Sequence, residues 1–309
     1  MSVAAAPTLA GEPDDHPGVR LSGETLMGLR HLARRGVSPA TRTLAGLPGG
    51  IVTRRRGRGS EPDDVRLWSE GDDMRHIDRN ATARTGTLHV RTHHDERDRA
   101  VVLLADFRPS MLFGTRRALR SVAAAEALVL LGWRIVGDGG RVGLVVGSAG
   151  EPAAVRPAGG ERAMTAVTGA LALAHSRALA AEGDDPPLDP LLTLAASLLP
   201  SGGHLVIASA LDAPGPDFDR LLTVLAERLS IRLLLVSDAF ERERPPGHYP
   251  FATADGHRGT IQGDPRGAEA RTDERLAAYA RRGIEGLRLD VEAGPEVYAP
   301  LMERLDAVL

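Results

Sequence analysis

The chain has 309 residues and a mass of 32.7 kDa, which is room for one large α/β domain or a domain with a sizeable attachment. Its formal charge of −3 supplies no global drive toward nucleic acid or an anionic membrane, so neither is expected as a partner. Cysteine is absent and all 38 basic residues are arginine, which excludes thiolate metal sites, cysteine nucleophiles and disulfides, and removes the lysine that a Walker phosphate loop or a pyridoxal Schiff base requires.

Residues 1–20 are small, polar and proline-containing and are read as a mobile tail. They lack the basic start and apolar middle of a signal peptide, and no apolar run of about 18 residues occurs anywhere, so the expected location is the cytoplasm. Ser22 is placed to cap a helix with Leu26, Leu29, Leu32 and Ala33 on one face, ending at Gly36. The arginine run Arg54 to Arg58 is read as an exposed strand or loop balanced by the acidic Glu61-Pro62-Asp63-Asp64 rather than as a phosphate-binding patch. A strand from Thr87 to Thr92 alternates apolar and polar residues, which puts His89 and His93 on its polar face; with His94 they are read as solvated rather than as a metal cluster.

Next comes Val101-Val102-Leu103-Leu104-Ala105-Asp106, an apolar run ending on a carboxylate, the pattern of a strand buried on both faces of a parallel sheet. A helix follows over 115–133, then a strand over 141–147, helices over 161–181 and 188–199, and a strand over 203–209. Beyond these lie a helix over 218–229, a strand over 231–236, a hairpin around Gly256, a helix over 274–282, a strand over 286–291 and a closing helix over 296–308. Strands alternating with helices predict right-handed βαβ units and a mainly parallel sheet covered on both faces, with Asp106, Asp212 and Asp238 along its carboxyl edge, where α/β folds bind ligands. No nucleophile–base arrangement is visible.

The string Gly71-Asp72-Asp73-Met74-Arg75-His76-Ile77-Asp78, then Ala81-x-Ala83-Arg84, then Asp106-x-x-x-Ser110-Met111, with Ser209-x-x-Asp212 and Ser237-Asp238-x-x-Glu241 later, resembles the bacterial domain-of-unknown-function 58 family from about Leu44 onward. The resemblance implies a von Willebrand factor A-like (Rossmann-like) fold over 99–309, preceded by a helix and strand extension over 21–98. It also implies a non-enzymatic adaptor working with a MoxR-type AAA+ ATPase. In that fold a loop of the form Asp-x-Ser-x-Ser, with a Thr and an Asp from neighbouring loops, holds a divalent cation through oxygen ligands suited to Mg²⁺.

Here Asp106 matches the first Asp, Ser110 the last Ser and Asp212 the second Asp. Arg108 stands where the middle Ser is expected, and the Thr region reads Gly183-Asp184-Asp185-Pro186-Pro187. The site is therefore read as degenerate, with no cofactor; any metal would rest on Asp106, Ser110 and Asp212. Arg108 is expected to fork onto Asp106 and Asp212 in the cation's stead. The block Gly71, Asp72, Asp73, Arg75 and Asp78 is read as structural, its charges pairing with Arg84. The alternative reading is an Mg-dependent hydrolase using Asp106, Asp212 and Asp238.

Overall fold

The computed structural model describes residues 16–35, 62–69, 74, 77–93, 99–243, 246–252, 258–263, 265–307 and 309. The chain divides into a larger unit, residues 1–37 with 100–309, and a smaller one, residues 38–99. The division corrects the expected 21–98 extension, because the N-terminal helices belong to the larger unit.

Ser22 caps α1 (Gly23–Gly28), accepting a 3.0 Å hydrogen bond from the Thr25 N–H. The expected single helix is broken at Leu29, which ends α1, and α2 (Arg30–Arg35) follows. The apolar face is the expected one: Leu26, Leu29 and Ala33 are buried, with Leu32 packed beside them. Residues 16–20, read as part of a tail, form a turn whose Gly18 carbonyl accepts from the Leu119 N–H at 2.8 Å. Gly18 sits against the backbone so closely that a Cβ there would meet the Arg117 carbonyl oxygen at 2.0 Å.

In the smaller unit, β1 (Pro62–Leu67) pairs antiparallel with β2 (His89–His93), and α3 (Arg79–Thr85) lies between them in sequence. Pro62-Asp63-Asp64 of the acidic run is thus the start of a strand. Asp78 caps α3 by accepting from the Ala81 N–H at 2.8 Å, and Gly86, with φ of +72°, ends it in the left-handed conformation that glycine adopts without strain. The rest of the expected charge network, Gly71, Asp72, Asp73 and Arg75, lies outside the described residues, as do Arg54 to Arg58 and His94. Arg84 is exposed in the last turn of α3, where a cation complements the helix dipole. His89 Nδ1 lies 2.8 Å from the Thr87 carbonyl oxygen and 3.1 Å from Thr85 Oγ1, both exposed contacts within its own turn.

The larger unit is built on a six-stranded sheet of β3 (Ala100–Asp106), β4 (Arg141–Gly147), β5 (Ala153–Ala158), β6 (His204–Ser209), β7 (Ser230–Ser237) and β10 (Glu285–Asp290), in the order β10-β7-β6-β3-β4-β5. All neighbours are parallel except β5, which runs antiparallel to β4 at the edge. β3 is buried along its whole length and serves both faces. Val101, Leu103 and Ala105 point into one core, with α4 (Arg120–Gly137), α5 (Gly160–Ala180) and α10 (Pro295–Asp306). Ala100, Val102 and Leu104 point into the other, with α6 (Asp189–Ser197) and α7 (Phe218–Ala226). This is the expected Rossmann-like α/β architecture. After β7 come α8 (Ala239–Glu243), the antiparallel hairpin of β8 (His248–Ala252) and β9 (Arg258–Gln262), and α9 (Pro265–Ala280).

Two of the departures from expectation have a clear physical cause. β5 was missed, since Ala-Ala-Val-Arg-Pro-Ala carries a proline and weak strand formers; an edge strand tolerates both. Helix α4 begins at Arg120 rather than Thr115, because tertiary contacts hold residues 112–119 as a loop. Thr115 bonds Asp238, while Arg117 bonds the Val291 carbonyl oxygen at 2.6 Å and forks onto Glu126. Burial pushes the Glu126 carboxyl up, against the hydrogen bonds and charge of Arg117. Among the described residues no helix is long and apolar enough to cross a membrane.

Candidate functional site at the carboxyl edge of the sheet

The chain leaves β3 toward β4 on one side and later returns to place β6 on the other, so the crevice between β3 and β6 is the switch point of the sheet. Asp106, the last residue of β3, and Ser209, the last of β6, meet there. Ser209 Oγ donates to Asp106 Oδ2 at 2.6 Å and itself accepts from the Leu211 N–H at 2.9 Å. Leu211 has a φ of +55°, unusual for a side chain with a Cβ, and this turn is held by Arg275, which donates to the carbonyl oxygens of Ala210 and Leu211 at 3.2 and 2.6 Å.

Arg108 is completely buried, as is Asp106. Its Nε donates to Asp106 Oδ1 at 2.9 Å and its Nη2 to Oδ2 at 3.0 Å, a two-pronged pair, while its backbone N–H reaches Oδ1 at 3.0 Å. The remaining prong, Nη1, donates to the carbonyl oxygens of Pro186 at 2.8 Å and Ala213 at 2.7 Å, with Asp185 Oδ2 at 3.8 Å. One guanidinium thus ties together the loops after β3, before α6 and after β6. The expected second partner, Asp212, is taken by a different arginine: Arg120 Nη1 donates to Asp212 Oδ2 at 2.9 Å and to the Ser110 carbonyl oxygen at 3.1 Å, and its Nη2 pairs with Glu241. Phe113 lies on the Arg120 guanidinium, 5.0 Å from ring centroid to Cζ.

Asp238 follows β7 and is likewise fully buried. Its Oδ1 accepts from Thr115 Oγ1 at 2.5 Å and the Phe240 N–H at 2.9 Å, and its Oδ2 from the Thr115 N–H at 3.0 Å. The structure therefore brings Asp106, Arg108 and the Ser110 backbone together, the last through its N–H to Asp185 Oδ1 at 2.9 Å. Asp212 and Asp238 stand in separate contacts. Sequence reasoning assigned no role to Asp185, Ser209 or Arg120. A carboxylate in the loop searched for a Thr was the available signal for Asp185; Arg120 left none.

The residues do not fit a divalent cation. A carboxylate offers about four lone-pair positions, and those of Asp106 meet four donors: Arg108 N–H, Nε and Nη2, and the Ser209 hydroxyl. A metal ligand needs one of those positions vacated. Among the described residues no group of three or more histidine or acidic side chains is arranged to hold a metal ion.

A hydroxyl–imidazole pair occurs elsewhere, in the core of the larger unit. Ser121 Oγ and His175 Nε2 are 3.0 Å apart, both side chains buried, with the Phe107 ring edge-on to the imidazole at 5.3 Å between centroids. Burial pushes the His175 imidazole down to about 4. The ring lines a cavity of about 320 Å³ with Arg20, Leu21, Ser176, Leu179 and Ala180. Ser121 is not among the cavity-lining residues and is fully buried, so its hydroxyl serves as a core partner for the imidazole.

Comparison with known proteins decides the family. A family model described as "Protein of unknown function DUF58" matches residues 64–260, more than half of the chain. The chain belongs to the DUF58 family. This DUF58 chain is also 40% identical over 94 residues to uncharacterized proteins of Mycobacterium bovis (strain ATCC BAA-935 / AF2122/97) and of two strains of Mycobacterium tuberculosis, a match covering 29% of this chain. It spans only 28% of the length of those relatives. Among solved structures, the DUF58 chain is similar to an aerotolerance-related membrane protein from Bacteroides fragilis NCTC 9343 bearing multiple mutations to serine, with a TM-score of 0.44 and 12% identity over 68% of this chain and 99% of that one.

Proposed function

We propose that this DUF58 chain is a protein-docking module without catalysis of its own, von Willebrand factor A-like in kind and working in the cytoplasm with a MoxR-type AAA+ ATPase. The observation that carries the reading is how the strand-end aspartates are used. Asp106 and Asp238 are buried with both oxygens hydrogen-bonded inside the protein, and Asp212 carries Arg120. A hydrolase built on these carboxylates needs at least one pair facing a common metal or water. The Ser121–His175 pair does not revive the enzyme reading: the serine is fully buried and does not line the cavity, and among the described residues no carboxylate is hydrogen-bonded to the ring. What the carboxyl edge does offer a partner is a set of exposed groups on internally braced loops, Phe113, Arg116 and Asp212.

The test is purification of the tagged full-length chain from its native host. A co-purifying AAA+ ATPase, with no turnover of ATP or a generic phosphoester by the purified chain alone, is the expected result. Turnover abolished by Asp106→Asn would refute the reading in favour of the hydrolase, and reproducible capture of partners without any AAA+ ATPase would refute the choice of partner.

A further inference from the structure

We propose that Arg108 is a built-in counter-cation. Its guanidinium does the work of a divalent ion at the switch point of the sheet, so that the carboxyl edge is held together without metal, yet a single substitution converts it into a metal site. Three features of the geometry support this, and none depends on the identity of a partner.

The first is the donor set. Arg108 collects oxygen atoms only: both carboxylate oxygens of Asp106 and the carbonyl oxygens of Pro186 and Ala213, with the Asp185 carboxylate just beyond hydrogen-bond range. Hard cations gather ligands of this kind, mixing carboxylate and backbone carbonyl from several loops. Here a guanidinium gathers them with the fixed directions of its planar fork. The second is burial. Neither side chain of the pair is exposed, so the negative charge of Asp106 is compensated from within, and solvent does not share the task. The third is what lies around the pair. Ser110 Oγ is a buried hydroxyl with no hydrogen-bond partner, and Ser209 Oγ already touches Asp106. With Arg108 replaced by Ser, the loop would read Asp106-Phe107-Ser-Pro109-Ser110, and the oxygen atoms of Asp106, Pro186, Ala213 and Asp185 that now face the guanidinium, with Ser209 Oγ on Asp106, would surround the space that it leaves.

The experiment compares the full-length chain with Arg108→Ser. Calorimetric titration of the unmodified protein with Mg²⁺ and Mn²⁺ is expected to show no binding in the millimolar range, and its Tm should not respond to EDTA. Arg108→Ser should melt lower by roughly 10 °C. Much of that loss should return on adding millimolar Mn²⁺ or millimolar guanidinium, and none with urea at the same concentration. Metal binding by the unmodified protein at millimolar concentration or tighter would overturn the proposal. So would an Arg108→Ser protein that keeps its Tm, or one whose lost stability neither cation restores. If Arg108→Ser does not fold, Arg108→Met and the double variant Asp106→Asn/Arg108→Met keep the question open to test, because both preserve most of the side-chain volume. The double variant should melt higher than Arg108→Met alone, since it leaves no uncompensated charge; a double variant no more stable than the single one would show that Arg108 matters by packing and not by charge.

Discussion

His175 makes the stability of this protein fall in mild acid, and the size of the effect follows from its surroundings. The imidazole is 1% exposed, wedged between Ser121 on α4 and the edge of Phe107, with Arg20 the charged group sharing its cavity. Burial lowers its folded-state value from 6.5 to about 4. In the unfolded chain the ring takes up a proton near its ordinary value, whereas the folded protein resists doing so until pH falls another two units or more. The stabilising contribution is therefore fully present above pH ~6.5 and is lost as pH falls toward ~4, with an overall size of about 3 kcal/mol and about 2 kcal/mol already gone at pH ~5. Urea unfolding midpoints, measured from pH 8 to pH 4.5 for the unmodified chain and for His175→Leu, isolate the term. The Leu variant keeps the apolar volume but cannot titrate, so the stability of the unmodified protein relative to the Leu variant should fall steadily below pH ~6.5. A difference that stays constant across that range would refute the reasoning.

Asp78→Ala removes the side-chain acceptor at the start of α3 and is expected to cost about 1 kcal/mol, seen as faster amide exchange across 79–85; unchanged exchange there would show that the cap is dispensable. Gly143→Ala puts a Cβ 2.7 Å from the Val155 carbonyl oxygen and 2.9 Å from the Pro157 ring, so β5 must shift away from β4 at about 1–3 kcal/mol, detectable as a lower Tm with loss of exchange protection confined to the edge strand.

Much of the fold was legible because hydrophobic patterning is local. Val101 to Ala105 could be read as a doubly buried strand from its apolar run, and its ladder to β4 and β6 follows that reading residue for residue. The strands over 141–147 and 204–209, and the helix over 160–180, lie within a residue of where periodicity put them. The site was less legible. A buried guanidinium needs its acceptors, and those of Arg108 are 2, 78 and 105 residues away along the chain. Asp106 is close enough for the pairing to be anticipated from sequence; the Pro186 and Ala213 carbonyls are backbone atoms with no signature in residue type.

By itself, then, the sequence excluded thiolate and lysine chemistry and determined the layering of the larger unit. The absence of cysteine and lysine, the alternation of strand and helix, and a carboxylate at the end of the central strand are all properties of residue type and short-range order. Only the tertiary structure decided how the charges at the carboxyl edge are shared. Asp212 was expected to share Arg108 with Asp106, yet it pairs with Arg120, while Ser209 and the loop around Asp185 complete the surroundings of Arg108 and Ser110. That outcome rests on loop conformation, including the left-handed turn at Leu211 and the Arg275 contacts that hold it. Loop conformation is set by long-range hydrogen bonds to backbone oxygens, which no local pattern of side chains encodes.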